Sequence, residues 1–193
     1  VNWSISGERT RRLIVAAVVG AATVAAMPGV AAAEGVDALN QGKYCAMLVD
    51  KAPEGKVSPV LAEICSDTSA ADVDARIVAE SARIAASRGV EAAAPIPIMY
   101  WYENIHYNLD SPGGFTTIYG NSGSCDSSGY RVEPSSWWKA RLSSLLGNND
   151  CYAAKVHNRA LSSAETFGLT YGGSGWWLGG YSDNVGLVQA YNG

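Results

Sequence analysis

The chain has 193 residues, 48% of them hydrophobic and 17% charged, and its net charge is −4. Fourteen basic residues stand against 18 acidic ones with no basic cluster, so nothing in it is built to grip a phosphate backbone. Nucleic acid is excluded as a partner.

Arg9, Arg11 and Arg12 precede an apolar run from Leu13 to Ala33 that closes on Ala31 and Ala33 in an A-x-A arrangement. A basic start, an apolar middle and a small-residue exit predict a signal peptide over 1–33, hence a secreted, extracellular protein with no membrane attachment after cleavage. The run is long enough to act instead as an anchor. It is made mostly of Ala, Val and Gly, however, and Pro28 breaks it just before the exit. Cleavage after Ala33 removes three arginines and one glutamate and leaves a net charge of −6.

All four cysteines, Cys45, Cys65, Cys125 and Cys151, follow that point, and an even number in an exported chain predicts two disulfides. Three pairings are open. The sequence-local one, Cys45–Cys65 with Cys125–Cys151, keeps each bridge within one compositional region. A four-cysteine zinc site is disfavoured because no C-x-x-C spacing occurs.

Residues 34–94 are rich in Ala and contain no Trp or Phe. They read as a short, disulfide-clipped helical lead-in, with a pro-segment removed after export as the alternative. Ser58 as N-cap and Pro59 at the first helical position predict a helix over "SPVLAEIC". Ser69 with Asp72 three residues on opens a second helix, with Val73, Ile77, Ile84 and Ala85 near one face and Gly89 as its stop. Tyr44–Val49 fits a strand and a helical turn equally. Residues 95–98 read as a linker, since Pro95 and Pro97 push the residues before them out of helical geometry.

From Met99 to Gly193 the chain changes habit, holding five of the six tryptophans and both phenylalanines, with Gly, Ser and Asn punctuation. Such runs predict strands at Ile98–Tyr102, Phe115–Tyr119, Cys151–Val156, Phe167–Tyr171 and Gly186–Tyr191. They suit a compact β-sandwich or barrel. Two stretches echo each other: Trp138, Leu142 and Leu145, then Tyr181, Val185 and Val188, each set at offsets 0, +4 and +7. Each follows a T-x-Y-G or T-Y-G strand end, "TTIYG" and "GLTYGG".

With "IYGNSGSCDSSGY" (118–130) and "WWKARLSSL" (137–145), this duplication resembles a two-motif βγ-crystallin-like domain over 99–193. It is similar to domains of small secreted actinobacterial proteins grouped with metalloproteinase inhibitors of crystallin-like fold. "YENIHYNL" keeps the family's two hairpin aromatics, Tyr102 and Tyr107, but has Leu109 in place of its glycine, and Pro112, Gly113 and Gly114 point to a displaced turn. The resemblance implies a mainly β fold, a two-motif Greek-key sandwich after the helical region. It also implies a non-enzymatic inhibitor of a secreted peptidase. The loop around Cys125, with Asn121, Ser122, Gly123, Ser124 and Asp126, is the candidate binding loop by position and constraint.

Many domains of this family hold Ca²⁺ through an N/D-N/D-x-x-S/T-S run, because that ion takes oxygen ligands. Here Lys139 and Ala140 replace the acidic or amide pair, leaving Ser143, Ser144 and Asp183 as the remaining oxygen donors, so no cofactor is expected. No G-x-S-x-G, H-E-x-x-H or P-loop occurs, and neither His106 nor His157 sits in a motif. Nothing in the spacing of Asp110, Asp126, Glu133 and Glu165 singles out a carboxylate pair, so no enzyme is expected. In strands, one member of each doublet, Trp137–Trp138 and Trp176–Trp177, would enter the core and its neighbour face water. Trp137, Trp176 and Trp177 are therefore the candidate aromatic surface. They raise the alternative of a monomeric carbohydrate- or wall-binding module, with a structural or toxin-like exported protein behind it.

Overall fold

A computed structural model describes residues 44–108 and 115–193 of the chain. The expected signal peptide, 1–33, the displaced turn with Leu109, Pro112, Gly113 and Gly114, and the carboxylate Asp110 lie outside the described residues.

The first strand, β1 (Tyr44–Val49), is a continuous apolar run, as a strand covered on both faces should be. Ala46 and Leu48 pack with a helix on one side, while Met47 and Val49 join the main core on the other. Next comes β2 (Val60–Ser66), antiparallel to β1, with Cys45 directly opposite Cys65. This corrects the helix expected over "SPVLAEIC". Ser58 caps no helix: its N–H donates to the Arg131 carbonyl at 2.8 Å, and its Oγ accepts from the Arg131 N–H. Pro59, lacking an N–H, leads into an edge strand, where no ladder donor is missed.

The helix α1 (Ala70–Ser87) begins as expected, with Ser69 Oγ accepting from the Asp72 N–H at 3.1 Å. Val73, Ile77 and Ser81 are its buried stripe, and Gly89 follows its end at φ 66°. Two pairs of side chains fix it over the sheet: Tyr119 Oη donates to Asp74 at 2.8 Å, and Ser81 Oγ to Asn121 at 2.9 Å.

The remaining strands are β3 (Ile96–Tyr102), β4 (Phe115–Gly120), β5 (Tyr130–Val132), β6 (Ser144–Gly147), β7 (Ala153–Asn158), β8 (Ala164–Gly168) and β9 (Val185–Tyr191), with a one-turn helix α2 (Ser136–Lys139) between β5 and β6. Two sheets result, ordered β2-β1-β4-β3-β6 and β5-β9-β7-β8. In the first, β3 and β4 form a hairpin and β6 returns beside β3; in the second, β7 and β8 form a hairpin and β9 returns beside β7. The intervening β5 crosses to the second sheet and pairs with β9. The protein is thus mainly β, and of the three open disulfide pairings it forms Cys45–Cys65 and Cys125–Cys151.

The lead-in is not a helical appendage. It supplies two strands besides α1, and β1 pairs in parallel with β4, from Tyr44 opposite Phe115 to Val49 opposite Gly120. The Trp doublets also differ from expectation, since neither is in a strand. Ser135 caps α2 by accepting from the Trp138 N–H, which puts Trp137 and Trp138 on a helical turn, while Trp176 ends the 3-10 turn Ser174–Trp176. Trp138 enters the core with its Nε1 donating to Thr116 Oγ1 at 3.1 Å, and Leu142 and Leu145 are fully buried beside it. Tyr181 packs against the same core on another 3-10 turn, followed by the buried Val185 and Val188. Both echoed triples therefore do the same work, closing the core as the chain enters a sheet.

Candidate functional site

Beyond β3 the chain makes a tight 3-10 turn, Ile105–Tyr107, in which His106 and Tyr107 lie at φ 61° and 57°. Consecutive non-glycine residues in the left-handed region carry a conformational cost and need outside support. Ser144 at the start of β6 supplies it, its Oγ accepting from the Tyr107 N–H at 3.2 Å and donating to the Asn104 carbonyl at 2.6 Å. Beyond β8, Gly173 N–H donates to the Thr170 carbonyl at 2.7 Å, and Ser174 Oγ accepts from the Gly168 N–H at 2.9 Å. That turn lifts Tyr171 to 88% exposure and leads into Trp176.

The two turns meet in an aromatic shelf. The His106 ring stacks on Trp176 with centroids 4.5 Å apart and planes 17° from parallel. Trp177 lies 6.0 Å beyond, and Tyr107 stands 6.3 Å from Tyr171. A pocket of about 230 Å³ opens between His106, Tyr107, Tyr171, Gly172 and Trp176. The Tyr107 hydroxyl is buried with no hydrogen-bond partner, and burial first, then Tyr171, raises its pKa. Among the described residues no carboxylate, lysine or arginine lines this pocket. It offers flat ring faces, which suit stacking.

The expected aromatic surface is thus half assembled. Trp176 and Trp177 are 37% and 50% exposed, and neither enters the core; Leu178 does so instead. Trp137 stands apart, half-buried edge-on against Trp138 at 4.8 Å and covered by the Arg141 guanidinium. His106, Tyr107 and Tyr171 were missed because they reach Trp176 through the fold. The one local signal was Tyr171 preceding Gly172 and Gly173, an aromatic residue at a turn tip.

The candidate loop around Cys125 is tied down on every side. Asn121 N–H donates to the Val49 carbonyl, Ser122 Oγ donates to the Asp50 carboxylate, and the Gly123 carbonyl accepts from Tyr130 Oη at 2.6 Å. Asp126 pairs with Lys51 at 2.8 Å and accepts from the N–H groups of Ser128 and Gly129. Lys51, then the Gly129 N–H, hold its carboxyl below the usual carboxylate range. Ser122, Gly123 and Asp126 remain exposed, and Ser124 is half-buried.

Of the candidate calcium donors, Ser143 and Asp183 come together, Ser143 Oγ donating to Asp183 Oδ1 at 2.9 Å. Ser144 is committed to the 3-10 turn, and Lys139 pairs with Glu133 at 2.5 Å. Among the described residues no group of three or more His, Cys, Asp or Glu could hold a metal. Comparison with family models, curated proteins and solved structures finds no match for this chain.

Proposed function

We propose that this is an exported, non-enzymatic binding protein that docks a glycan, such as a cell-wall polymer, on the shelf formed by His106, Tyr107, Tyr171, Trp176 and Trp177. The observation that carries the reading is the exposed cluster of ring faces, with His106 stacked on Trp176 at 4.5 Å and Tyr171 across the pocket. A sugar ring would cover the exposed ring faces, which bind by stacking and apolar contact. The scaffold we propose is a two-motif, crystallin-like Greek key. In support, each sheet carries a hairpin with a later strand returning beside its first member, β6 beside β3 and β9 beside β7. Export is supported by the leader signature of 1–33 and by both disulfides.

The test is tryptophan fluorescence during titration with solubilised peptidoglycan and neutral glycans, with pull-down on insoluble wall. Binding that weakens roughly tenfold in Trp176→Ala supports the reading, since one aromatic contact contributes about 1 kcal/mol beyond its area. An unchanged spectrum and an empty pull-down reject it.

A second reading, inhibition of a secreted peptidase, is favoured by the immobilised loop Asn121–Asp126. A loop already held by Cys125–Cys151 and the Asp126–Lys51 pair loses little freedom on entering an enzyme's cleft. Assays against secreted metallo- and serine peptidases that register no inhibition at micromolar protein exclude it.

A further inference from the structure

A second pocket, sharing no residue with the aromatic shelf, lies on the outer side of the β5-β9-β7-β8 sheet. Its floor follows from strand alternation. Tyr130 and Val132 of β5 point into the core, which turns Arg131 outward, and the register carries that face across Gln189 to Lys155, with Leu187 opposite His157 in the next row. Leu187 is nonetheless only 6% exposed. Val57, from the β1–β2 connection, and Leu161, from the β7–β8 turn, stand with it around a pocket of about 180 Å³.

Leu161 is held there against its backbone preference. It sits at φ 56° and is 59% exposed, so burial does not offset the cost of left-handed backbone in an L-residue. Asn158 enforces the turn, its Oδ1 accepting from the Ser162 N–H at 2.9 Å and its Nδ2 donating to Ser162 Oγ at 3.0 Å. The turn rests directly on β9: a Cβ on Gly186 would stand 2.4 Å from the Asn158 carbonyl oxygen and 2.9 Å from Leu161 Cδ2. A glycine at 161 would relax the strain, so the apolar side chain is the part that serves the pocket.

Its charge is unbalanced. Glu133 and Lys139 on the rim pair at 2.5 Å and cancel. Arg131 gives one N–H to Gln189 at 2.7 Å, but its Nε is buried without a partner. Arg159, exposed on the opposite rim, has no ion pair among the described residues. Lys155 and His157 on the same face add no negative charge, and Lys155 and Arg131 both help, after burial, to lower the His157 pKa. In a chain of net charge −4, two unmatched guanidinium groups beside an apolar pocket call for an anion with a hydrocarbon end.

We propose that this pocket binds a small apolar carboxylate, the carboxylate between Arg131 and Arg159 and the hydrocarbon between Val57, Leu161 and Leu187. Its volume is close to the roughly 150 Å³ that accommodates a benzene ring, which suits a branched or aromatic side chain. The ligand is either a free acid or the C-terminal residue of a polypeptide.

The experiment titrates the disulfide-intact chain with N-acetyl-leucine, N-acetyl-leucinamide and a peptide ending in leucine, followed by calorimetry and amide NMR shifts. The acid is expected to bind with shifts around Arg131, Leu161 and Leu187, and the amide at least tenfold more weakly. Arg159→Gln should weaken the acid about tenfold without changing the melting temperature, a loss of one charge-assisted contact. Leu161→Gly should weaken it while raising the melting temperature, which a purely structural leucine would not do. Trp176→Ala should leave it unchanged, separating this pocket from the shelf. A peptide that binds tighter than the acid assigns the site to polypeptide C-termini, and equal affinities assign it to free acids. Equal binding of acid and amide, or no shift with the acid at about 10 mM, overturns the proposal.

Discussion

Gly129 shows how little latitude single positions have. It lies at φ 62°, and a Cβ there would stand 1.8 Å from the Ala190 carbonyl oxygen, backbone that cannot swing aside. Gly129→Ala should therefore cost about 3 kcal/mol or more in urea unfolding, combining left-handed strain with a displaced β9; a loss under about 1 kcal/mol would contradict that placement. Two other residues set the response to acid. Burial, with Lys155 and Arg131 behind it, lowers the His157 pKa, so the unfolded chain takes up that proton first. Stability should fall as the pH drops below about 6.5, the unfolded value, and level off below the folded one. His157→Gln should flatten that step in urea midpoints between pH 7 and 5, and an unchanged slope would refute it. Asp126 acts lower: its depressed carboxyl stabilises the fold above the ordinary carboxylate value, and that contribution fades as pH falls through the folded pKa. Residue-level reading of the sequence succeeded where the chemistry was local, as at the Ser69 cap, and failed at Trp137, whose cover, Arg141, is placed by α2 and the turn after it.

Among the elements, those with strong local signals were legible. The cores of β3, β4, β7 and β9 were visible as aromatic or β-branched runs, with ends shifted by up to two residues. Expected at Phe167–Tyr171, β8 runs from Ala164 to Gly168, because the Gly172–Gly173 turn claims Tyr171. The failure at β2 has a definite cause. Ser58 and Pro59 suit a helix start and an edge strand alike, and the choice is made by Arg131, 73 residues away. The strands β5 and β6, of three and four residues, are too short to show any period. The disulfides act at this scale. Cys125–Cys151 closes a 26-residue separation and joins the tethered loop to the chain entering β7. Replacing both cysteines with serine should lower stability by about 3 kcal/mol. It should also speed amide exchange in 121–126 while leaving β1 and β2 protected; equal loosening in β1 would mean the bridge does not act locally.

For the whole molecule, composition conveyed a mainly β protein but not how its parts close. A parallel pair between β1 and β4 joins residues about 70 apart and leaves no mark in either segment, which is why the first strands read as a separate lead-in. That pairing makes residues 44–94 integral to the first sheet. A fragment starting at Pro95 would lose β1, β2 and α1, and would bare the edge of β4 and the core contacts of Met47 and Val49. It should lack a cooperative melt, whereas the chain nicked between Gly89 and Pro95 should stay associated and melt as one body. A soluble, cooperatively folding fragment would refute this. The same arrangement decides how the molecule bears load. Traction on Tyr44 directed along β1 would load a strand flanked by β2 and β4 with six registered pairs on each side. Those pairs must slide in shear together, not peel one by one, and Cys45–Cys65, at the loaded end, passes the force covalently into β2. A protein held in a wall or on a surface by its leading end would thus be gripped at one of its strongest points.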